Sequence, residues 1–208
     1  MTARRTPAAY FDDMYAGAED PWSFETRWYE QRKHDLTVAC LPRRRYRSAF
    51  EPGCSTGVLT RRLAARCDRL LAVDLVAAPV ARARQRLSDL AHVRVEQMRV
   101  PDEWPAATDM PFDLVVLSEL GYYLDDAGLD LLTARAVDSL APGGTLVAVH
   151  WRPVVAEHVR GGDDVHRVLE HVDGLARTAR HEEADFLLDV FLRVPPPARS
   201  VAQAEGLR

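Results

Sequence analysis

The chain has 208 residues, 47% of them hydrophobic, which is enough for one domain with a full core. Acids exceed bases to leave a net charge of −4 with the two signs intermixed, so there is no basic surplus for binding a nucleic acid by counterion release. No stretch approaches the roughly 20 apolar residues that cross a bilayer. The three cysteines, Cys40, Cys54 and Cys67, are widely spaced and fit neither a metal site nor a disulfide framework. They read as free thiols, and with no apolar leader over Met1–Tyr10 a cytoplasmic location and no metal are expected. Arg43, Arg44, Arg45 and Arg47 form the one basic run and read as a solvated turn. Lys33 is the only lysine and carries no functional reading at this level.

In chain order, residues 1–45 are expected to form an N-terminal helical lid on the same domain. Tyr10, Phe11, Trp22, Phe24, Trp28 and Tyr29 crowd this segment. A helix is expected from an N-cap at Ser23 to about Leu41, stopped by Pro42. Phe24 and Trp28 would then share one face, as core packing or as a substrate wall. From residue 46 to 195 apolar strands alternate with amphipathic helices. Strands are expected at Tyr46–Glu51, Leu70–Asp74, Val93–Gln97, Phe112–Ser118 and Thr145–Trp151. Helices are expected at Val58–Cys67, Val76–Leu87, Asp126–Leu140 and Asp163–Val172. Pro142-Gly143-Gly144 reads as a turn before Thr145. Leu175–His181 and Phe186–Val194 read as an antiparallel edge hairpin, and residues 196–208 as a disordered tail. The pattern predicts an α/β fold, a Rossmann-like, doubly wound and mostly parallel seven-stranded sheet with an antiparallel edge hairpin.

The segment Glu51-Pro52-Gly53-Cys54-Ser55-Thr56-Gly57 joins the first parallel strand to its helix. Its glycines allow a sharp turn and close approach of a ligand to the backbone, and the helix start presents free N–H groups. It lacks the G-x-G-x-x-G dinucleotide pattern. An acid, Glu51, ends the strand; it would repel a pyrophosphate and pair with an ammonium, which S-adenosylmethionine (SAM) carries. Asp74 ends the next strand, where a carboxylate can accept both hydroxyls of a ribose.

These residues resemble motif I of the class I SAM-dependent methyltransferases, with Ser55 where a glycine usually sits. Asp74, the stretch Asp113–Glu119 and Leu140-Ala141-Pro142-Gly143-Gly144 are similar to further motifs of that family, and the likeness covers about residues 45–151. Tyr10–Tyr15, Asp20-Pro21-Trp22, Trp28–Lys33, Ser118–Tyr123 and His150-Trp151 resemble the nodulation-type (NodS) N-methyltransferases. The resemblance implies SAM as cofactor, S-adenosylhomocysteine (SAH) as product, and methylation of an amino group on an amino sugar, a glycoside or another small-molecule acceptor. It implies cofactor contacts from Glu51, Gly53, Cys54, Ser55, Gly57, Asp74 and Ser118. Adenine contacts fall to Gln97 and Met98, because no acid follows the third strand.

Glu119 and His150 follow the fourth and fifth strands, at the carboxyl edge where α/β ligands bind. They are the candidate catalytic pair. Glu119 would orient or deprotonate the acceptor, and His150 would accept a proton or donate a hydrogen bond. Each also reads as a structural group, a helix cap or a packed histidine. Trp22, Trp28, Tyr122, Tyr123 and Trp151 are candidate walls for a sugar face or a sulfonium. Asp163 and His166, three residues apart, are candidate acceptor contacts. Two other readings stay open: an NAD(P)-dependent oxidoreductase, and a SAM-binding domain without catalysis.

Overall fold

The computed structural model describes residues 5–208; the first four residues of the expected lid lie outside it. Two helices, α1 (Ala8–Gly17) and α2 (Trp28–Ala39), precede the sheet. Then follow β1 (Ala49–Pro52), α3 (Val58–Ala64), β2 (Leu70–Asp74), α4 (Ala77–Arg86), β3 (Val93–Gln97) and β4 (Phe112–Ser118). The chain continues through α5 (Asp126–Ser139), β5 (Leu140–Trp151), α6 (Gly162–Glu170), β6 (Leu175–Glu182), β7 (Phe186–Arg193) and α7 (Val201–Ala204).

The seven strands form one sheet in the order β3-β2-β1-β4-β5-β7-β6. The first five in this order are parallel, and β7 pairs antiparallel with both β5 and β6. This is the expected fold, with the hairpin at the edge. Alternate residues serve two separate cores. Phe50, Val73, Val115 and Leu117 pack on one face, and Ala49, Leu70, Leu114 and Val116 on the other. Both faces of the central strands are covered, which is why those strands read as apolar runs. Strand order reverses between β1 and β4, so a crevice opens beyond their carboxyl ends.

Several boundaries differ from the expectation. The second helix begins at Trp28, not Ser23. Ser23 has φ +60° and sits in a turn capped by Asp20, whose carboxylate accepts hydrogen bonds from Phe24 N and Glu25 N, both at 3.0 Å; the N-cap of the helix itself is Arg27, which makes no side-chain cap. Phe24 therefore precedes the helix and stacks on Trp22, with ring centroids 5.6 Å apart, instead of sharing a face with Trp28. β1 starts at Ala49, while Tyr46 makes only an isolated bridge to Cys67. Pro142-Gly143-Gly144 lies inside β5 as an irregularity, with register broken between Phe112 and Leu114. The tail expected to be disordered carries the helical turn α7, in which Gln203 N donates to Ser200 Oγ at 3.2 Å.

Candidate active site

A cleft of ≈ 430 Å3 lies at the carboxyl ends of β1, β2, β4 and β5, with residues of α1, α2 and the loop after β5 completing its walls. Its floor on one side is the β1–α3 loop. Gly53 N and Cys54 N donate to the Val73 carbonyl at 2.8 and 2.9 Å, and Gly53 adopts φ +78°. Ser55 takes the left-handed conformation (φ +50°) that glycine adopts freely. Two partners hold it there: its N–H donates to Asp74 Oδ2 at 2.8 Å, and its hydroxyl accepts from Tyr15 at 2.6 Å. Asp74 also accepts from Val76 N at 3.1 Å. Each Asp74 oxygen retains a lone-pair direction for a further donor.

Glu51 is 2% exposed, and its Oε2 has no hydrogen-bond partner among the described residues. Burial pushes its carboxyl up to about 8, against the opposing effect of the nearby Thr60 hydroxyl, which does not reach hydrogen-bond geometry with Oε2. An unpartnered buried carboxylate oxygen beside the cleft is the feature that a ligand ammonium would satisfy. The loop and Asp74 therefore fit SAM: Glu51 would hold the amino-acid end and Asp74 the ribose. Cys54, Ser118 and Met98 also line the cleft. Gly57 and Gln97 do not. Gly57 is structural, since a Cβ there would meet Ala83 Cβ and Leu87 Cδ1 at 3.1 Å. Gln97 is exposed and donates to the Leu75 carbonyl at 2.9 Å. On the adenine side Met98 is accompanied by Leu75, Arg99 and Val100.

The other side is built around Glu119, which has φ +55° directly after β4. Its Oε1 accepts from Lys33 Nζ at 2.6 Å. Its Oε2 accepts from the Tyr122 hydroxyl and from Trp151 N, the latter at 3.0 Å. Burial alone would raise its pKa, but the charge of Lys33, the neighbouring His150 and these donors outweigh it and hold the carboxyl at about 2. Glu119 is thus an anion with its lone pairs largely engaged, suited to orienting a cationic group and ill suited to taking a proton. Lys33, 2% exposed, also meets Glu30 Oε2 at 2.9 Å. Burial disfavours its charge, yet the two carboxylates raise its pKa. The sole lysine of the chain is therefore the buried cation of this cleft.

His150 does not reach the cleft. Leu146, Ala148 and His150 alternate on the sheet face covered by α6, where Val165 and Leu169 are buried. Its Nε2 accepts from Gly121 N at 3.2 Å, which leaves Nδ1–H to donate to His166 Nε2 at 3.1 Å. His166 Nδ1–H in turn donates to Asp189 Oδ2 at 2.8 Å, and Asp189 accepts from Arg180 at 2.8 and 2.7 Å. Burial holds His150 neutral, with its pKa lowered to about 3. His150 and His166 thus belong to a buried relay that fixes the Gly121–Tyr123 turn, and the expected proton-acceptor role for His150 and acceptor contact for His166 do not fit this geometry. Asp163 is exposed and paired with Arg152 at 2.8 and 3.0 Å. Trp28 is 71% exposed and outside the cleft.

Trp22, Tyr122, Tyr123 and Trp151 do line the cleft. Tyr10, Phe11, Tyr15, Glu30, Lys33 and His158, none of them a candidate site residue from the sequence, line it as well. The aromatic crowding of the lid was the available signal for the first three. Lys33 was marked only by being the single lysine, and His158 sits in an irregular loop with no pattern.

A family model described as nodulation protein S (NodS) matches residues 13–171. Nodulation protein S of Sinorhizobium fredii is 36% identical over 132 residues, which are 62% of this chain and 60% of that protein. The chain thus spans less than two thirds of that curated relative. A solved structure from Pseudomonas syringae is 48% identical with a TM-score of 0.71, covering 80% of this chain and 100% of that one. The N-methyltransferase NodS of Bradyrhizobium japonicum WM9, solved with SAH, is 28% identical with a TM-score of 0.79, covering 89% of this chain and 97% of that one.

Proposed function

The chain belongs to the nodulation protein S (NodS) family, and from that premise we propose that it is a SAM-dependent methyltransferase whose acceptor is the amino group of an amino sugar or a related small glycoside. Its cofactor loop, with an unpartnered Glu51 oxygen and Asp74 beside it, supports SAM as donor. A SAH-bound family member of the same fold supports it further. The family match and the acid at the strand end weigh against the oxidoreductase reading.

One observation carries the acceptor class: the ionised Glu119 carboxylate sits in a cleft walled by Trp22, Tyr122, Tyr123 and Trp151. Aromatic faces suit the apolar faces of a sugar ring, and a carboxylate at their centre attracts and aligns an amine. SAM supplies the methyl group as an electrophile. The protein holds the acceptor nitrogen in line with it, and such positioning can contribute up to about 7–11 kcal/mol. Glu119 fixes the direction of the amine N–H, and the aromatic walls exclude water.

The test is incubation with SAM and a panel of glucosamine, de-N-acetylated chitotetraose, alkylamines and phenols, read by mass spectrometry. A one-methylene mass gain on the amino sugars is expected. Transfer to phenols alone would overturn the amino-acceptor reading. No transfer to any acceptor, with SAH still bound, would favour a binding domain without catalysis.

A further inference from the structure

We propose that His158 takes the proton from the nucleophilic nitrogen of the acceptor, a role that rests on the amine-acceptor reading above. A protonated amine has no lone pair, so a base must receive its proton before or during attack. Glu119 already accepts from Lys33, Tyr122 and the Trp151 backbone, which keep it ionised and leave it room to align an N–H but not to take its proton, and both ring nitrogens of His150 are engaged. Glu51 faces the cofactor end.

His158 lines the same cleft as Glu119 and Trp151. Its ring nitrogens make no hydrogen bond with any described residue, unlike those of His150 and His166. The ring is nevertheless held in place. It stacks on Tyr122 with centroids 3.9 Å apart and planes 12° apart, and meets Tyr123 edge-on at 5.0 Å. The loop that carries it is pinned by Val159 N to the Tyr122 carbonyl at 2.9 Å, and by the Thr6 hydroxyl to the Glu157 carbonyl at 3.1 Å. Because Tyr122 also donates to Glu119, one residue orients both the group that aligns the amine and the group that would deprotonate it.

In the step, the N–H bond of the ammonium breaks and its electron pair stays on nitrogen. The proton bonds to an imidazole nitrogen of His158. The freed pair then forms the bond to the methyl carbon, while the electrons of the breaking C–S bond remain on sulfur. The groups facing His158 are Tyr122, Tyr123 and the carboxylates of Glu119 and Glu157. Burial lowers its pKa from the ordinary 6.5, only partly offset by those two acids, so the ring is neutral and able to accept at pH 7.

His158→Phe keeps the stack on Tyr122 and removes the acceptor nitrogen. With glucosamine and de-N-acetylated chitotetraose as probes, its kcat should fall about 100-fold. SAH affinity by calorimetry should stay within about twofold, because the cofactor loop is untouched. The acidic limb of the native kcat/KM profile should move up in pH, to the ionisation of the acceptor amine itself. In His158→Ala, added imidazole should restore at least tenfold of the lost rate, a response that a packing role alone would not give; this decides the matter if His158→Phe also loses SAH binding. An unchanged kcat and acidic limb in His158→Phe, or no rescue of a slowed His158→Ala, would overturn the proposal alone. A native enzyme that methylates neither probe would overturn the amino-acceptor reading and the proposal with it.

Discussion

The two ends of the cleft each hold a buried glutamate at the end of a central strand, and they are wired in opposite ways. Glu51, near the end of β1, keeps an oxygen without a partner and is pushed up to about 8. Glu119, after β4, is gripped by a lysine, a tyrosine and a backbone amide and is held at about 2. The first end leaves an oxygen unpaired; the second already has its cation within the protein. A carboxylate's chemistry is therefore set by what surrounds it and not by its place in the topology.

The comparison is broken most severely by Lys33→Met. It leaves Glu119 and Glu30 without their cation, and urea unfolding should show a loss of about 3–5 kcal/mol. A loss under about 1 kcal/mol would mean that the Lys33 pair does not hold the acceptor end together. Glu119→Gln should lower turnover about 10- to 100-fold while SAH affinity stays within about threefold; equal losses in both would tie Glu119 to the cofactor instead. At the other end, Glu51→Gln and Asp74→Ala should each weaken SAH binding about tenfold or more, close to 1.4 kcal/mol. Unchanged calorimetric affinity would remove either residue from the cofactor site.

The smallest effect is in pH. The folded pKa of Glu51 lies above its unfolded value, so its contribution to stability is full below about 4.5 and is lost as pH rises toward 8. His150 and His34, the latter buried in α2, act with the opposite sign. Both are depressed to about 3, so their contributions are present above 6.5 and fade as pH falls. The melting temperature of the ligand-free protein should thus drop by a few degrees between pH 6.5 and 8.5, and Glu51→Gln should flatten that drop. A drop that persists in Glu51→Gln would assign it to another group.

The sheet was legible because its signals are local. β2 and β4 stand where apolar runs place them, β3 where Val93 and Val95 alternate with polar residues, and the Glu51–Gly57 turn is written in two glycines and an acid. What escaped depends on contacts between distant segments. Asp20 caps a turn where Ser23 was expected to start a helix, and only the folded lid shows which competes better. His150 was read as facing the strand edge, yet strand alternation with Leu146 and Ala148 already pointed it under α6. Asp163 and His166 were expected to share a face, but their helix buries one against β7 and leaves the other to Arg152. His158 has no periodic neighbours, and its meaning comes from a tyrosine 36 positions earlier that stacks against it.

The solitary lysine has a practical corollary. Feeding the cells lysine labelled at its side-chain nitrogen would place a single isotopic reporter in the entire molecule, seated between two acids beside the cleft. One resonance, free of overlap, would then register the arrival of an amine beside Glu119 without any assay of turnover.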